Sequence, residues 1–255
     1  MADLSAHDQS EIRRSAVDAA RHKAPLAANP KQVARYLNPR LDTAFPLEYC
    51  YSLLGDMTGK TALDYGCGSG ENVLLLTIRG ASVVGVDISP DLIEIAKQRL
   101  SVNNLTADLR PVSGYHTKMP DASVDVVFCM AVLHHLDLEK ARHEILRVLK
   151  PGGVVILREP VRNSKTYAAL RGLIPFNWHN VSEFEHPLRS EDLDAFAAGM
   201  QCEAKRRFRL PFVNLAIAAS QPLAHRSHYI DRWLLKKIPR LERMATVEVR
   251  KLRAT

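Results

Sequence analysis

The feature that most constrains this chain is a run of three alternating glycines between a short apolar segment and a helix-like segment. Residues 62–72 read ALDYGCGSGEN, so Asp64 ends the apolar segment and glycines follow at positions 66, 68 and 70. Because glycine has no Cβ, a backbone of this kind can turn sharply and approach a ligand closely. A second acid, Asp87, ends the next apolar segment, where it can accept hydrogen bonds from a ribose diol. Together these features predict a site for a cofactor that carries a nucleoside.

The spacing of the glycines indicates the kind of cofactor. A dinucleotide loop has the pattern G-x-G-x-x-G and seats a pyrophosphate on the helix N-terminus. Here the pattern is G-x-G-x-G, and Asp64 precedes it. A carboxylate repels a pyrophosphate but attracts an ammonium or sulfonium group. The loop therefore favours a cationic nucleoside with an amino-acid end over NAD. Glycine-rich corners also occur without a ligand, so neighbouring segments have to support this assignment.

Length and composition are those of an ordinary globular chain. The 255 residues suffice for one large α/β domain. No segment approaches the roughly 20 apolar residues of a membrane span, and residues 1–10 lack an apolar signal region, so we expect a cytoplasmic protein. The four cysteines are scattered and form no C-x-x-C pair, so neither a disulfide framework nor a metal site is predicted.

The positive charge is concentrated at the C-terminal end. Residues 203–255 contain thirteen Lys or Arg and four Asp or Glu, within a chain of net charge +7. Such an end suits an anionic substrate or a membrane surface, and residues 229–238 predict an amphipathic basic helix carrying Arg232, Lys236 and Lys237. A solvated basic surface without a partner is an equally open interpretation. No interleaving of aromatic and basic residues supports nucleic-acid binding.

From residue 61 onward, apolar strands alternate with helical patterns. This alternation predicts right-handed βαβ units and a parallel sheet with helices on both faces. A final edge strand is expected at 246–252, after a short apolar segment at 212–219. Residues 1–60 have mostly helical patterns broken by prolines, and their position before the glycine loop suits a lid over it. The predicted strands are 61–64, 82–86, 108–112, 124–130, 154–157, 202–210 and 246–252.

Over residues 59–153 the order of motifs resembles that of class I methyltransferases that use S-adenosylmethionine. After the glycine loop come GVDISP, PDASVDVV, LHHL and RVLKPGG, each where that family has a similar segment. The resemblance implies a Rossmann-like seven-stranded, mostly parallel α/β sheet with an antiparallel last strand. It also implies a helical cap or lid at 1–58 and a methyltransferase domain at 59–255, with substrate-pocket insertions at about 160–189 and 211–244.

The resemblance further implies which residues contact the cofactor. The glycines would carry its methionine end, Asp64 would orient its amino group, and Asp87 would hold the ribose hydroxyls. After the third strand the family often has Gly-Asp, whereas this chain has Gly114-Tyr115-His116, so Tyr115 or His116 would have to meet the adenine. The complete implied set is Asp64, Gly66, Cys67, Gly68, Gly70, Asn72, Asp87, Ile88, Tyr115, His116 and Met130.

Two histidines and an acid are the candidate catalytic residues. His134 and His135 follow the fourth strand, at the sheet edge where α/β proteins place their sites, and Glu159 ends the fifth. Histidine titrates near neutrality and can remove a proton from an oxygen or nitrogen acceptor. A His-His pair can equally cap or pack a helix entrance. His186, flanked by acids, is a lower-ranked candidate.

The leading hypothesis is methyl transfer from S-adenosylmethionine to a small molecule, at a hydroxyl oxygen, leaving S-adenosylhomocysteine. The basic helix suggests that the acceptor is anionic, or that it is lipid-linked and held at a membrane surface. A nicotinamide-dependent oxidoreductase and a non-catalytic nucleoside-binding module are the alternatives. A nucleic-acid methyltransferase is disfavoured, because the fourth strand runs into Met130-Ala131-Val132 and not into an Asn/Asp-Pro-Pro-aromatic tetrapeptide.

Overall fold

The computed structural model describes residues 6–21, 25–164 and 188–255, and its centre is one seven-stranded sheet. The strand order is β3-β2-β1-β4-β5-β7-β6, with β7 antiparallel to both β5 and β6 and the other pairs parallel. The predicted Rossmann-like sheet with an antiparallel last strand is confirmed. The strands are β1 Thr61–Tyr65, β2 Ser82–Asp87, β3 Asp108–Pro111, β4 Val124–Met130, β5 Leu149–Pro160, β6 Met200–Phe208 and β7 Val247–Ala254.

One sequence prediction near the C-terminus was wrong. The last strand is not at the sheet edge, because β7 lies between β5 and β6. Its first four residues are all buried, since helices cover both of its faces there, whereas β6 is the exposed edge. The apolar segment at 212–219 is a helix that begins at Pro211, in the first-turn position that proline favours.

Helices cover both faces of the sheet, as predicted. Their caps follow the sequence: the Ser89 hydroxyl accepts the Leu92 amide at 3.3 Å, directly before a first-turn proline. The α-helices are α1 Ala6–Ala20, α2 Pro30–Leu37, α3 Pro46–Leu54, α4 Glu71–Ile78, α5 Pro90–Val102, α6 Leu138–Val148, α7 Ser190–Phe196, α8 Pro211–Ala219 and α9 Gln221–Lys237. Short 3-10 helices cover Leu133–His135 and Pro239–Met244.

Side chains that alternate along each strand divide the core into two layers. Phe128 and Ile156 belong to the layer beneath α3, α4 and α5, whereas Cys129 and Leu157 belong to the layer beneath α6 and α7. The same alternation sends neighbouring polar residues at a strand end to opposite faces. The two layers therefore fix which polar groups meet at the C-terminal edge of the sheet.

The N-terminal helices attach to this core at different places. Helix α1 contacts α5, and α3 contacts β5 and β7. Tyr36 and Tyr51, from α2 and α3, are buried in the same layer as Phe128. Among the described helices, none is long and apolar enough to cross a membrane.

Candidate active site

The glycine loop joins β1 to α4, and it requires glycine because its backbone has positive φ angles and because it packs closely against neighbouring side chains. Gly66, Gly68 and Gly70 all have positive φ, at 76°, 51° and 80°. At Gly66 an added Cβ would lie 2.5 Å from a Val132 methyl carbon, and at Gly70 it would lie 2.7 Å from the Ala96 Cβ. At Gly68 the same atom would meet nothing within 4 Å. The loop is therefore packed tightly at its ends and open at its centre, where a ligand can approach the backbone.

Asp87 ties this loop to the end of β2. One carboxylate oxygen accepts the Gly68 amide and the other accepts the Ser89 amide, both at 2.9 Å. Burial raises the pKa of Asp87, and these two hydrogen bonds oppose the rise. The residue also lines the cavity beside the loop. Asp87 thus holds the loop in place and faces the space where a ribose is expected.

Asp64 is a buried carboxylate without a counter-charge. It is 1% exposed, and neither oxygen makes a hydrogen bond of normal geometry with any described residue. Burial raises its pKa to about 8, the charges of Asp87 and Glu71 add to the rise, and the Val73 amide opposes it. A buried charge without a partner is costly, so a cationic group bound here would relieve a cost that the protein otherwise bears.

The cavity beside the loop is covered by α1. It measures about 80 Å³, smaller than the roughly 300–1,000 Å³ of typical ligand pockets. Gly66, Asp87, Ile88 and His135 line it, together with α1 residues that include Glu11. Helix α1 thus occupies the position expected of a lid.

His134 and Glu159 form a hydrogen-bonded pair at the ends of β4 and β5. One oxygen of the fully buried Glu159 accepts the backbone amides of Val132 and Leu133, each at 2.9 Å. The other lies 2.8 Å from Nδ1 of His134. A carboxylate fixed in this way orients the imidazole and leaves Nε2 available to accept a proton.

His135 has a different environment. Its ring centroid is 4.0 Å from that of His134, and its Nδ1 is 3.6 Å from a Glu11 oxygen on α1. His135 lines the cavity, whereas His134 does not. The two adjacent histidines therefore lie close to different acids, one on β5 and one on α1.

Several predicted cofactor residues lie near the loop without lining the cavity. The Asn72 side chain accepts the Tyr51 hydroxyl at 3.0 Å, and Cys67 and Met130 pack in the core layer beneath α3. The Tyr115 hydroxyl accepts the Asp137 amide at 2.9 Å, and His116 is exposed.

Ser113 and Gly114 line the cavity where Tyr115 and His116 were expected. An added Cβ at Gly114 would lie 2.7 Å from the Tyr65 hydroxyl, which donates a hydrogen bond to the Gly114 carbonyl, also at 2.7 Å. Tyr65, which directly precedes the glycine loop and also lines the cavity, was not among the predicted site residues.

Arg99 was also missed. It is 4% exposed, its Nε donates to the Ser69 carbonyl at 2.8 Å, and its Nη2 donates to Glu71 at 2.9 Å. The guanidinium therefore braces the glycine loop from α5. No local pattern links it to the loop, which lies 30 residues away. His186 lies outside the described residues.

Comparison with known proteins identifies the family. A methyltransferase-domain family model matches residues 63–157. A ubiquinone biosynthesis O-methyltransferase of Nitrosomonas europaea is 32% identical over 151 residues, covering 55% of this chain and 64% of that protein. A protein of the same name from Pseudomonas paraeruginosa is 31% identical over 159 residues, covering 58% and 67%. A crystal structure of a methyltransferase from Methanosarcina mazei shares the fold, with a TM-score of 0.58 and 20% identity over 82% of this chain and 97% of that one.

This chain therefore belongs to the class I S-adenosylmethionine-dependent methyltransferases, and S-adenosylmethionine is its cofactor. The predicted enzyme class and cofactor are confirmed, which decides against nicotinamide. The residues present fit that cofactor, because Asp64 is buried without a counter-charge and the backbone over Gly68 is open. The matched region spans less than two thirds of the first relative, so the identity of the acceptor is a matter of proposal.

Proposed function

We propose that this protein transfers a methyl group to an oxygen atom of a small hydroxylated molecule and that His134 removes the proton of that hydroxyl. The names of both relatives, ubiquinone biosynthesis O-methyltransferase, support an oxygen acceptor. The observation that carries the proposal is the bond between His134 and the buried Glu159. The bound cofactor supplies an electrophilic methyl group, so the protein has to align and deprotonate the acceptor.

The proposed cofactor contacts follow the geometry of the loop. Asp64 faces the cationic amino end, the open backbone at Gly68 receives the methionine portion, and Asp87 accepts from the ribose. Ile88 and Gly114, which line the same cavity, enclose the adenine ring of the cofactor. In this arrangement adenine contacts backbone and apolar surface, which accounts for the missing acid after the third strand.

In the proposed proton transfer, the acceptor hydroxyl donates its proton to Nε2 of His134. Glu159 keeps Nδ1 protonated and stabilises the imidazolium that forms. The amides of Val132 and Leu133 hold the carboxylate still, so the imidazole needs little reorganisation.

The test is methyl transfer from isotopically labelled S-adenosylmethionine to a panel of catechols, anilines and thiophenols, with products located by mass spectrometry. We expect O-methylated catechol. His134→Ala and Glu159→Gln should each lower kcat by about 10²- to 10⁴-fold without weakening S-adenosylhomocysteine binding. His143→Ala is the matched control, since this exposed histidine on α6 should leave kcat unchanged. N-methylated product alone would contradict an oxygen acceptor.

The pH profile separates the two adjacent histidines. If His134 is the base, His134→Ala should abolish the acidic limb of the kcat profile and His135→Ala should retain it. The reverse result would assign the proton to His135. Retention of the limb in both single variants would refute a histidine base.

We also propose that residues 1–58 act as a cap and that the segment 211–244 shapes the acceptor pocket. In this proposal α1 covers the cofactor cavity. Helices α8 and α9 follow the end of β6, at the same sheet edge as Asp87 and Glu159. The other expected insertion, at 160–189, falls largely outside the described residues.

We further propose that the acceptor is lipid-linked and that α9 contacts an anionic membrane surface. Positions 223, 226, 230, 233 and 237 share one helix face, which presents Leu223, Ile230 and Trp233 together with Arg226 and Lys237. The three apolar side chains are 49%, 54% and 59% exposed. An exposed face of apolar and basic side chains is typical of an interfacial helix.

The charged residues near this face of α9 favour contact with an anionic surface. Asp231 is the only acid within α8 and α9, and it is fully buried. Arg232 lies outside this helix face. It forms an ion pair with Asp42 at 3.0 Å. Lys236 and Lys237 are exposed and are the basic residues to test.

The measurement is co-sedimentation with phosphatidylglycerol vesicles and with phosphatidylcholine vesicles. We expect binding to the anionic vesicles, and Trp233→Ser or the pair Lys236→Glu and Lys237→Glu should each reduce it about tenfold. Val102→Ser is the matched control, because Val102 is 55% exposed on α5. Equal binding by all variants, or no binding to either vesicle, would contradict the membrane proposal.

A further inference from the structure

Two arginines lie at the ends of β5 and β6, at the C-terminal edge of the sheet. Arg158 is on β5, beside Glu159, but strand alternation sends its side chain to the α3 face, whereas Glu159 faces α6. Arg209 directly follows β6. Strand β7 separates the two, and its Val249 is in register with Arg158. Both arginines therefore lie near the C-terminal edge, at the ends of two strands that flank β7.

Neither guanidinium has a hydrogen-bond or ion-pair partner in the described part of the chain, and the Nε atom of each is buried. The buried Arg250 differs from these two arginines, because its guanidinium bonds Glu248, Asp194 and the Ser190 carbonyl. Both side chains are partly exposed, so it is the buried Nε atoms that lack both water and a bonding partner. Two guanidinium groups, each with an unpaired buried donor, indicate a site for an anion.

The electrostatic surroundings of Arg209 agree with this reading. Burial lowers its pKa, repulsion from Arg158 lowers it further, and Asp231 partly offsets both. Both Asp231 oxygens already accept backbone amides, from Arg209 at 2.9 Å and Leu210 at 2.7 Å. His228, which is near Arg209, is buried, and its pKa is lowered to about 4, so it is a neutral neighbour at pH 7.

The backbone of Arg209 is held in an unfavourable conformation. Its φ is 64°, in the left-handed region that a side chain of this size rarely adopts. The Asp231 carboxylate fixes its amide, and the Thr246 hydroxyl and amide both donate to its carbonyl, at 2.8 and 3.0 Å. Strain that surrounding bonds enforce is typical of functional positions.

We propose that Arg158 and Arg209 form a subsite that binds a carboxylate group of the methyl acceptor. This inference rests on the proposed function for its ligand. Two planar guanidinium groups present several donors, which suits a two-oxygen anion. Arg158 is in register with Met130, the end of the strand that leads directly to His134. A carboxylate here would anchor the acceptor at the same edge of the sheet as the proposed base. The cofactor's own carboxylate is the other source of the same chemistry.

The test measures binding by calorimetry in four arms. Benzoate and benzyl alcohol, which match in size but differ in charge, are titrated into protein saturated with S-adenosylhomocysteine. S-adenosylhomocysteine and 5′-methylthioadenosine, which lacks the amino-acid end, are titrated into free protein. The variants are Arg158→Met and Arg209→Met. Arg240→Met, at an exposed position on the 3-10 helix after α9, is the control.

We expect each variant to weaken benzoate binding about tenfold or more and to leave benzyl alcohol and both nucleosides unchanged. Weaker S-adenosylhomocysteine binding with unchanged 5′-methylthioadenosine binding would assign the same carboxylate subsite to the cofactor. Two results would overturn the proposal. The first is that both variants bind benzoate and S-adenosylhomocysteine as tightly as the wild type does. The second is that the wild type binds benzoate no more tightly than benzyl alcohol, and that neither variant changes the affinity for S-adenosylhomocysteine.

Stability provides an independent control. Both side chains are partly exposed and make no bond within the described part of the chain, so each variant should melt close to the temperature of the wild type. A variant that binds benzoate poorly but melts no lower has lost the subsite and not the fold. Because the assay measures binding, it stands apart from methyl transfer, and an absence of O-methylated product would leave its result intact.

Discussion

Replacing Asp64 by Asn should stabilise the protein in the absence of cofactor, and the gain should grow with pH. Burial and two neighbouring carboxylates raise the pKa of Asp64 from 3.8 to about 8. The folded chain therefore holds more protons than the unfolded chain between these values. The contribution of Asp64 to stability is most favourable below about pH 4 and is lost as the pH rises through about 8. Asparagine carries no charge and escapes this loss.

The size of the effect follows from the shift. Each pKa unit corresponds to about 1.4 kcal/mol, so a rise of about four units gives an upper limit of about 5–6 kcal/mol above pH 8. Local relaxation and water entry lower that limit, as effective dielectric values at buried sites indicate. We expect the free energy of unfolding of Asp64→Asn to gain about 2–4 kcal/mol over the wild type between pH 5 and pH 9.

Urea denaturation followed by circular dichroism at pH 5, 7 and 9 measures this difference, because the two proteins share every other titrating group. Glu94→Gln, at an exposed position on α5, is the matched control and should track the wild type at every pH. Calorimetry with S-adenosylhomocysteine supplies the second half of the test. Wild-type protein should release protons on binding at pH 7, because the ligand's ammonium group lowers the pKa of Asp64, and Asp64→Asn should bind at least about tenfold more weakly without this release.

Two results would refute the reasoning. A difference in unfolding free energy that does not change between pH 5 and pH 9 would mean that Asp64 titrates normally in the folded state. A variant that binds S-adenosylhomocysteine as tightly as the wild type would mean that the carboxylate does not face the amino group. Either result would leave the acid that precedes the glycine loop without an electrostatic role in cofactor binding.

Two further substitutions examine how the loop is held. Gly66→Ala should destabilise the fold by about 2–4 kcal/mol in urea, because the new Cβ would lie 2.5 Å from Val132 at a φ of 76°; Gly59→Ala, with φ 71° and open space, should lose only about 1–2 kcal/mol, and equal losses would contradict the steric explanation. Arg99→Met should weaken S-adenosylhomocysteine binding about tenfold, since the guanidinium braces the loop from α5, and unchanged calorimetric affinity would show that the loop is held without it.

The sequence was sufficient to predict the sheet, because the patterns that indicate its strands and helices are local. Apolar strands alternate with capped helices, and crossover handedness then restricts the topology. The position of β7 was not accessible in this way. Val247, Glu248, Val249 and Arg250 alternate as an edge strand would, yet all four are buried. The charged pair bonds within the layer that contains α7, and that helix is nearly sixty residues away in sequence.

The same distinction between local patterns and contacts of distant residues applies to the candidate site. Asp64, the glycines and Asp87 could be assigned because they follow strand ends in a fixed order. The bond between His134 and Glu159 joins two strand ends 25 residues apart, so the sequence supplied the residues but not the pairing. Glu11 could not be assigned at all, because its position beside His135 depends on how α1 folds back over the sheet.

Apart from Glu159, whose oxygens are bonded to two backbone amides and to His134, the charged residues discussed above are separated by sign along the C-terminal edge of the sheet, and this separation bears on both proposed ligand positions. Asp64 and Asp87, at the ends of β1 and β2, carry acids into the cofactor side, where the methyl donor brings an ammonium and a sulfonium. Arg158 and Arg209, at the ends of β5 and β6, carry unpaired cations into the other side. Between them lies His134, the proposed base, which is bonded to Glu159. An acceptor with its anion on the arginine side would orient its hydroxyl toward the centre of the edge, whereas the reverse orientation would bring an anion against buried carboxylates. If the proposed carboxylate subsite is correct, the separation of charge selects one orientation of the acceptor.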